Sequence, residues 1–146
     1  DKMFATLDPL ARVEKIDGQR EILFIDTVGF VRDLPHTLIE SFHATLEEVS
    51  LADVLIHVVD VSSPKAGHLK DAVDEVLKEI GAGEKKVILA LNKTDVLDEN
   101  SRKRARDLWP EGILISAREG LGLRGLLDRL SVVIAERESA GEKVSP

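Results

Sequence analysis

The chain has no cysteine among its 146 residues. This absence excludes a disulfide framework, a thiolate metal site and a cysteine nucleophile, and it suits a reducing compartment. No apolar run approaches the roughly 18 residues needed to cross a bilayer. No charged segment followed by an apolar one opens the chain, as a targeting signal would. These absences predict a globular domain without a membrane span, which we expect in the cytoplasm.

Basic residues are fewer than acidic ones, with 20 Lys and Arg against 27 Asp and Glu and a formal net charge of -7. Such a balance argues against a protein that coats nucleic acid by bulk charge. One basic cluster stands out, and we interpret it as a solvated helix face rather than an RNA-binding surface. It comprises Arg102, Lys103, Arg104 and Arg106. The length favours one domain, predicted over residues 1–138 and followed by a flexible tail over residues 139–146.

Short apolar runs rich in branched residues predict strands that are buried on both faces. The runs are Ile22–Ile25, Val54–Val59, Val87–Leu91 and Ile113–Ile115. A weaker strand, Leu10–Ile16, precedes Asp17-Gly18, which is a hairpin turn signal. The pattern therefore predicts an antiparallel edge strand beside the first of the four runs.

Apolar residues at spacings of three and four predict helices between these strands. The helices span Leu38–Val49, Leu69–Ile80 and Leu123–Ile134, with Gly81 ending the second and a shorter polar helix running from a Ser101 cap to Trp109. Alternating strands and helices predict an α/β fold, a three-layer sandwich with a mostly parallel sheet. In such sheets ligands bind beyond the carboxyl ends of the strands.

The residues Asn92-Lys93-Thr94-Asp95 follow directly on the predicted Val87 strand. A carboxylate at Asp95 can accept two hydrogen bonds from guanine, at the ring N–H and at the exocyclic amine, and adenine offers neither in that arrangement. Asn92 can brace the loop, while the stem of Lys93 can lie over the ring face. The alternative is a polar strand-end loop in which Asp95 caps the next turn.

Two further strand ends carry small or acidic residues. Ser116-Ala117 lies just past the last predicted strand, where a small residue allows a backbone N–H to approach a base oxygen. A tight turn without a ligand would use the same residue types. Asp60 ends the Val54 strand, and we interpret it as a loop cap rather than a catalytic group.

Three positions in the first thirty residues suit a phosphate-bearing ligand. Asp26 closes the Ile22 strand and can hold Mg²⁺, usually through water, because hard cations prefer oxygen ligands. Gly29 allows its backbone N–H to approach a terminal phosphate, and the hydroxyl of Thr6 can reach the metal. Each position also has a plain structural interpretation, as a loop cap, a turn glycine and a polar residue near a chain end.

Taken together, Thr, Asp-x-x-Gly, Asn-Lys-x-Asp and Ser-Ala, in that order, resemble the guanine-nucleotide-binding domain of the translation-factor-related GTPases. Four stretches resemble one branch in particular, the HflX family. They are Phe-Ala-Thr-Leu-Asp-Pro (4–9), Asp-Thr-Val-Gly-Phe (26–30), Arg-Asp-Leu-Pro-His (32–36) and Ala-Thr-Leu-Glu-Glu-Val (44–49). The similarity continues through Val59-Asp60 to Ser116-Ala117 and so covers most of the chain.

The resemblance implies a cytoplasmic GTPase that binds GTP and GDP, engages the large (50S) ribosomal subunit and contributes to splitting or rescuing stalled ribosomes. Thr6 and Asp26 would be linked to Mg²⁺, and Thr6 and Gly29 would contact the terminal phosphate where the reaction occurs. The guanine pocket would comprise Asn92, Lys93, Asp95, Ser116 and Ala117. Segments around Thr6 and from Gly29 to about His36 would be switches ordered by that phosphate.

The sequence departs from the family pattern because it has no Gly-x-x-x-x-Gly-Lys-[Ser/Thr] loop, whose N–H groups cradle the phosphates. In the family that loop, with its strand and helix, lies upstream of Asp1. We therefore expect a P-loop NTPase-like G domain missing its first strand and helix, with weak GTP binding and negligible turnover. The missing strand would lie between the Ile22 and Val54 strands, so we expect those two to pair directly or the domain to self-associate across the gap.

Two other classes of protein remain open at this point. A non-catalytic module would keep the fold and a partner surface without cycling nucleotide. A response-regulator-like receiver shares the parallel α/β sheet, but it needs clustered acids at the end of its first strand and a phosphoacceptor aspartate. The receiver also gives no role to the Asn-Lys-x-Asp and Ser-Ala pair.

Overall fold

The computed structural model describes residues 10–16, 20–26, 47 and 49–141. The strands are β1 (Leu10–Ile16), β2 (Arg20–Asp26), β3 (Leu55–Asp60), β4 (Val87–Asn92) and β5 (Ile113–Leu114). The helices are α1 (Ala66–Glu79), α2 (Glu99–Leu108) and α3 (Leu123–Ser139), with a 3₁₀ turn at Thr94–Val96. The predicted α/β class is confirmed, and strand and helix alternate as the sequence pattern indicated.

Two sheets contain these strands. β1 and β2 pair antiparallel, with Val13 opposite Leu23, as the turn signal between them predicted. The turn itself, Asp17-Gly18, lies outside the described residues. β3, β4 and β5 form a parallel sheet in that order. Most of the helix predicted over Leu38–Val49 also lies outside the described residues, although residues 49–51 are helical.

The expectation that the Ile22 and Val54 strands pair directly is wrong for the part of the chain that the structure describes. β2 pairs with β1, and β3 pairs with β4, in separate sheets. A short connection joins β1 to β2, whereas residues 27–54 separate β2 from β3, so closing the first pairing costs less chain entropy. Self-association remains a prediction.

The chain divides into two compact units. One contains β1, β2 and residues 72–84, and the other contains residues 54–71 and the chain from Lys85 through α3. In the second unit β4 is the central strand of its sheet, and the side chains of residues 88–91 are all buried. This burial on both faces explains why the strand appears in the sequence as an unbroken apolar run.

The core of the second unit forms where β3 and β4 meet two helices. Its buried members are Val59, Ala66, Leu89, Leu91 and Ala105. Trp109, which follows α2, packs against this cluster together with Val61 and Leu114. None of the helices in the described ranges has both the length and the apolar character that crossing a membrane requires.

Gly81 ends α1, as predicted. Its φ of 79° lies in the left-handed region, where glycine carries no Cβ penalty. The Gly81 N–H donates to the Lys78 carbonyl at 3.1 Å, and the Ala82 N–H donates to the Leu77 carbonyl at 2.8 Å. This pair of hydrogen bonds is the Schellman motif, which satisfies carbonyls that the helix end would otherwise leave without donors.

The cap predicted for α2 is wrong by three positions. Asp98, rather than Ser101, is the N-cap, with extended backbone and a side-chain oxygen that accepts from the Ser101 N–H at 2.7 Å. Ser101 therefore lies in the first turn and donates to the cap. This hydrogen bond lowers the pKa of the Asp98 carboxyl below its ordinary value of 3.8, because it favours the ionised form.

Gly122, the N-cap of α3, has a φ of 74°. A Cβ added there would clash with the Leu114 carbonyl oxygen and lie 3.2 Å from the Ile115 Cα. Both contacts are to backbone atoms, so no side-chain rotation can relieve them. The entry into α3 therefore requires glycine for two separate reasons, backbone conformation and space.

We expect Asp98→Ala to lower the urea midpoint of unfolding at neutral pH, because the Ser101 N–H loses its acceptor. The folded pKa of Asp98 is lowered, so its contribution is present above the unfolded pKa and is lost as pH falls through the folded value. The gap between Asp98→Ala and the unsubstituted protein should therefore shrink on acidification below 3.8. Asp98→Asn is the control, because asparagine keeps a hydrogen-bond acceptor without the charge. A difference in stability between Asp98→Ala and the unsubstituted protein that stays constant with pH would contradict the cap.

We expect Gly122→Ala to lower the free energy of unfolding by about 3 kcal/mol, combining the left-handed backbone penalty with the backbone clash. Gly141→Ala is the matched control, because Gly141 has a φ of 80° but no atom of the described residues lies within 4 Å of an added Cβ. Gly141→Ala should lower the free energy of unfolding by about 1 kcal/mol, from the backbone penalty alone. Equal losses in urea titrations of the two variants would contradict the steric argument.

Candidate functional site

Two loops leave the carboxyl ends of neighbouring parallel strands. We name residues 92–95 the β4 loop and residues 115–121 the β5 loop. β4 and β5 are paired, with Leu91 opposite Leu114, and the Ile115 N–H extends the ladder by donating to the Leu91 carbonyl at 2.8 Å. The topology therefore places the Asn-Lys-x-Asp and Ser-Ala motifs at the same edge of the sheet.

Thr94 joins the two loops directly. Its side chain is buried, with 6% of the residue exposed, and its hydroxyl donates to the Ile115 carbonyl at 2.8 Å. Its backbone N–H donates to the same carbonyl at 3.2 Å. Both donors of a buried residue are thus satisfied by one acceptor in the other loop, which fixes the position of one loop against the other.

Asp95 and Ser116 meet as a consequence. The Ser116 hydroxyl donates to Asp95 Oδ1 at 2.9 Å, and Ser116 has no exposed surface. An ionised carboxylate has about four lone-pair sites, of which the serine uses one. The half-buried Asp95 therefore retains the capacity to accept further hydrogen bonds while its orientation is held.

Asn92 and Ala117 form a second connection between the loops. The Ala117 N–H, which we expected to face a base oxygen, donates to Asn92 Oδ1 at 3.0 Å. The carbonyl of Asn92 accepts from the Val61 N–H at 3.1 Å, beyond the end of β3. Asn92 thus contacts the loops on either side of its own strand, consistent with the bracing role predicted for it.

The β5 loop is a closed turn built around Ser116. The Ser116 N–H donates to the Leu121 carbonyl at 2.9 Å, and the Leu121 N–H donates back to the Ser116 carbonyl at 3.0 Å. The Ser116 hydroxyl also accepts from the Glu119 N–H at 3.1 Å. Since every polar group of this buried serine has a partner, the hydroxyl that contacts Asp95 has a fixed position.

Lys93 has a left-handed backbone, with φ 71° and ψ 31°. Among the described non-glycine residues it alone has a positive φ. That conformation costs roughly 1–2 kcal/mol, so surrounding contacts must hold it. Lys93 Nζ lies 3.0 Å from Asp60 Oδ2, and this ion pair aims the side chain toward the end of β3.

Asp60 is ionised at neutral pH. Burial on its own would raise the pKa of this carboxyl, but hydrogen bonds from Ser62 and Lys93 outweigh burial and lower the pKa below 3.8. Asp60 Oδ1 accepts from the Ser62 N–H at 3.0 Å and from the Ser62 hydroxyl. The sequence-based interpretation of Asp60 as a loop cap is therefore confirmed, and the ion pair with Lys93 is an additional contact.

Arg102 supports the β4 loop from α2. Its Nε donates to the Thr94 carbonyl at 3.1 Å, and its guanidinium lies 3.8 Å from Glu99. Sequence reasoning missed this role, because Arg102 was grouped with the basic helix face. Arg104 and Arg106 fit that interpretation, since both bind residues of their own helix, Ser101 and Glu99.

The predicted phosphate-side residues are described only in part. Asp26 is the last residue of β2, at the carboxyl end of a strand, as expected. Thr6 and Gly29 lie outside the described residues. The structure thus brings together the five residues predicted for the base, and the roles of all eight predicted site residues stay predictions.

The sequence of this chain is similar to those of known GTPases. The family model described as 50S ribosome-binding GTPase matches residues 1–93. The GTPase HflX of Caldanaerobacter subterraneus subsp. tengcongensis is 45% identical over 130 residues, covering 89% of this chain and 29% of the relative. The GTPase HflX of Escherichia coli K12 is 38% identical over 142 residues, covering 93% and 33%. The chain spans about a third of the length of these curated relatives.

Solved structures show the same fold. A GTP-binding protein from Sulfolobus solfataricus, in complex with GDP, superposes with a TM-score of 0.71 at 28% identity, covering 88% of this chain and 45% of its own. Era bound to MgGDPNP and ribosomal RNA gives a TM-score of 0.65 at 22% identity, covering 86% and 44%, a likeness of fold alone. With a family model over more than half of its residues and HflX relatives over nearly all of them, the chain belongs to the HflX family of GTPases.

Proposed function

We propose that this chain forms the guanine-binding part of a GTPase that converts GTP and water to GDP and phosphate. The observation that supports it best is the contact between Asp95 and Ser116 at 2.9 Å, across two strand-end loops. A carboxylate that is oriented before the ligand binds can select guanine. The two N–H donors of guanine supply the hydrogen bonds that the carboxylate needs.

The remaining pocket residues have distinct roles in this proposal. The stem of Lys93 lies along the ring face of the base. Ala117 has only a methyl side chain, so a base oxygen can reach its N–H, sharing or displacing Asn92 Oδ1, which now lies 3.0 Å away. The Asn92 amide then becomes free to contact the base edge. Base binding thus replaces one loop-to-loop hydrogen bond with contacts to the ligand.

Mg²⁺ and the phosphates would bind at the residues predicted from the first part of the sequence. A carboxylate at the end of β2 (Asp26) and a hydroxyl (Thr6) are hard oxygen donors, which suit Mg²⁺. When bound, the ion would neutralise charge that develops on the phosphates. Gly29, with no side chain, would let its N–H contact the terminal phosphate. Catalysis in such sites is positioning and charge stabilisation rather than covalent chemistry.

The cellular role that we propose is engagement of the large ribosomal subunit in the cytoplasm, contributing to splitting or rescue of stalled ribosomes. Support comes from the family description, 50S ribosome-binding GTPase, and from the HflX relatives. A second candidate is a non-catalytic module that keeps the fold without cycling nucleotide. Turnover of GTP by the protein at its full coding length distinguishes an enzyme from such a module.

We expect Asp95→Asn, in the protein expressed at its full coding length, to weaken GDP binding by roughly a hundredfold or more, because an amide cannot accept both guanine donors. The same variant should gain affinity for xanthosine diphosphate, whose ring presents a carbonyl in place of the exocyclic amine. Competition titrations with a fluorescent nucleotide measure both constants.

The matched control for this experiment is Asp107→Asn, which removes the same charge from an exposed position on α2. Its affinity for both nucleotides should equal that of the unsubstituted protein. If Asp95→Asn and Asp107→Asn behave alike, Asp95 does not read the base and the guanine assignment fails.

For residues 1–146 on their own, we expect weak or undetectable GTP binding and negligible turnover, since they carry no loop to cradle the phosphates. Adding a peptide that supplies the family's phosphate-binding segment in trans should raise turnover if the chain is part of an enzyme. Tight, Mg²⁺-dependent binding of a fluorescent GTP analogue to residues 1–146 alone would refute the expectation. Turnover that stays absent in the protein at its full coding length would favour the non-catalytic module.

A further inference from the structure

Asp60 lies directly beside the start of the β4 loop. It ends β3, and the parallel register places it opposite Asn92, the last residue of β4. Lys93 follows Asn92 with its backbone reversed into the left-handed region. The sheet therefore fixes the distance between the Asp60 carboxylate and the backbone of Lys93, where the lysine side chain begins, independently of any ligand.

The two oxygens of the Asp60 carboxylate are divided between two tasks. Oδ1 accepts from the N–H and hydroxyl of Ser62, which closes the turn after β3. Oδ2 lies 3.0 Å from Lys93 Nζ. The turn anchors the carboxylate, so its second oxygen is a fixed acceptor rather than one of many positions that a mobile side chain would sample.

A lysine stem has several rotatable bonds, and its free side chain samples many conformations. Lying flat over a base requires one of them, and ordering the chain on binding reduces affinity. With its backbone fixed by the reversed φ and its ammonium held by Asp60, the Lys93 stem is held at both ends. The Lys93 side chain is therefore already ordered before the base binds, and binding does not have to order it.

We propose that Asp60 is a positioning residue for guanine-nucleotide binding, and that it acts by holding the Lys93 ammonium so that the lysine stem is already aligned with the base. The inference rests on the proposed function, because it concerns the same pocket. It goes beyond that function in assigning affinity to a residue on β3, outside both loops that contact the base.

The expected effect is modest. The side chains of Lys93 and Asp60 are 56% and 39% exposed, and ion pairs in such surroundings contribute little at physiological salt. A loss of roughly two- to fivefold in GDP affinity is expected when the pair is removed. The loss should diminish as salt concentration rises, since salt screens exposed charges.

Asp60→Asn separates the two tasks of the carboxylate. The asparagine keeps an oxygen for Ser62 but presents an NH₂ group to Lys93, which cannot pair with an ammonium. We would measure GDP affinity for Asp60→Asn, Lys93→Met and the double variant in the protein at its full coding length. Lys93→Met keeps an apolar stem without the charge, so Asp60→Asn should lower affinity in the original background and have no further effect beside Lys93→Met.

Two controls isolate the pair from the turn and from net charge. Ser62→Ala removes only the hydroxyl donor to Oδ1, while the backbone N–H of residue 62 still donates to Oδ1 and anchors the carboxylate, so GDP affinity should not change. Asp128→Asn breaks an exposed ion pair with Arg124, 3.6 Å away on α3, and should also leave affinity unchanged. If Asp60→Asn does not fold, Asp60→Glu enters the same cycle, with a smaller loss that again vanishes beside Lys93→Met.

The outcomes distinguish this inference from the function on which it rests. Equal losses from Asp60→Asn in both backgrounds, or no loss in either, would overturn the positioning role while leaving guanine binding intact. An unsubstituted protein that binds GDP no better than ADP would overturn the proposed function and this inference with it. If Asp60→Asn lowers GDP affinity only when Lys93 is present, the result supports both the positioning role of Asp60 and the proposed guanine binding.

Discussion

The carbonyl of Ile115 is the point on which the geometry of the site depends. It accepts two hydrogen bonds from Thr94, one from the hydroxyl at 2.8 Å and one from the backbone at 3.2 Å. Because Thr94 is buried, leaving either donor without a partner would cost about 1–3 kcal/mol. That constraint allows one placement of the β4 loop against the β5 loop, and the contacts of Asp95 with Ser116 and of Asn92 with Ala117 follow from it.

Much of the fold could be predicted because burial leaves a pattern in the chain. Residues 87–91 of β4 are all apolar since the strand is covered on both faces, and α1 ends at Gly81 because few other residues tolerate that backbone conformation. The cap of α2 was harder to place. Asp98, Asn100 and Ser101 are all residue types that cap helices, and only the backbone geometry shows that the first of them does so.

Site residues could be predicted where a suitable residue type lies at the end of a predicted strand. Contacts that depend on how neighbouring strands are aligned could not. Asn92, Asp95, Ser116 and Ala117 follow strands and share an edge by a general rule of parallel sheets. Asp60 also lies at the end of a strand, but its pairing with Lys93 depends on which residue of β4 lies opposite, and the sequence does not show that. Arg102 was concealed among neighbouring basic residues, although it alone of the four reaches the β4 loop.

The hydrogen bonds that join the two loops span 21 to 25 residues of chain. They can form only after the whole β4–α2–β5 crossover has closed, so the pocket is among the non-local contacts whose closure entropy must be met during folding. A ligand that requires both loops consequently binds the closed crossover and not its locally unfolded forms. Occupancy would then suppress opening of this segment, by an amount that increases with the logarithm of ligand concentration.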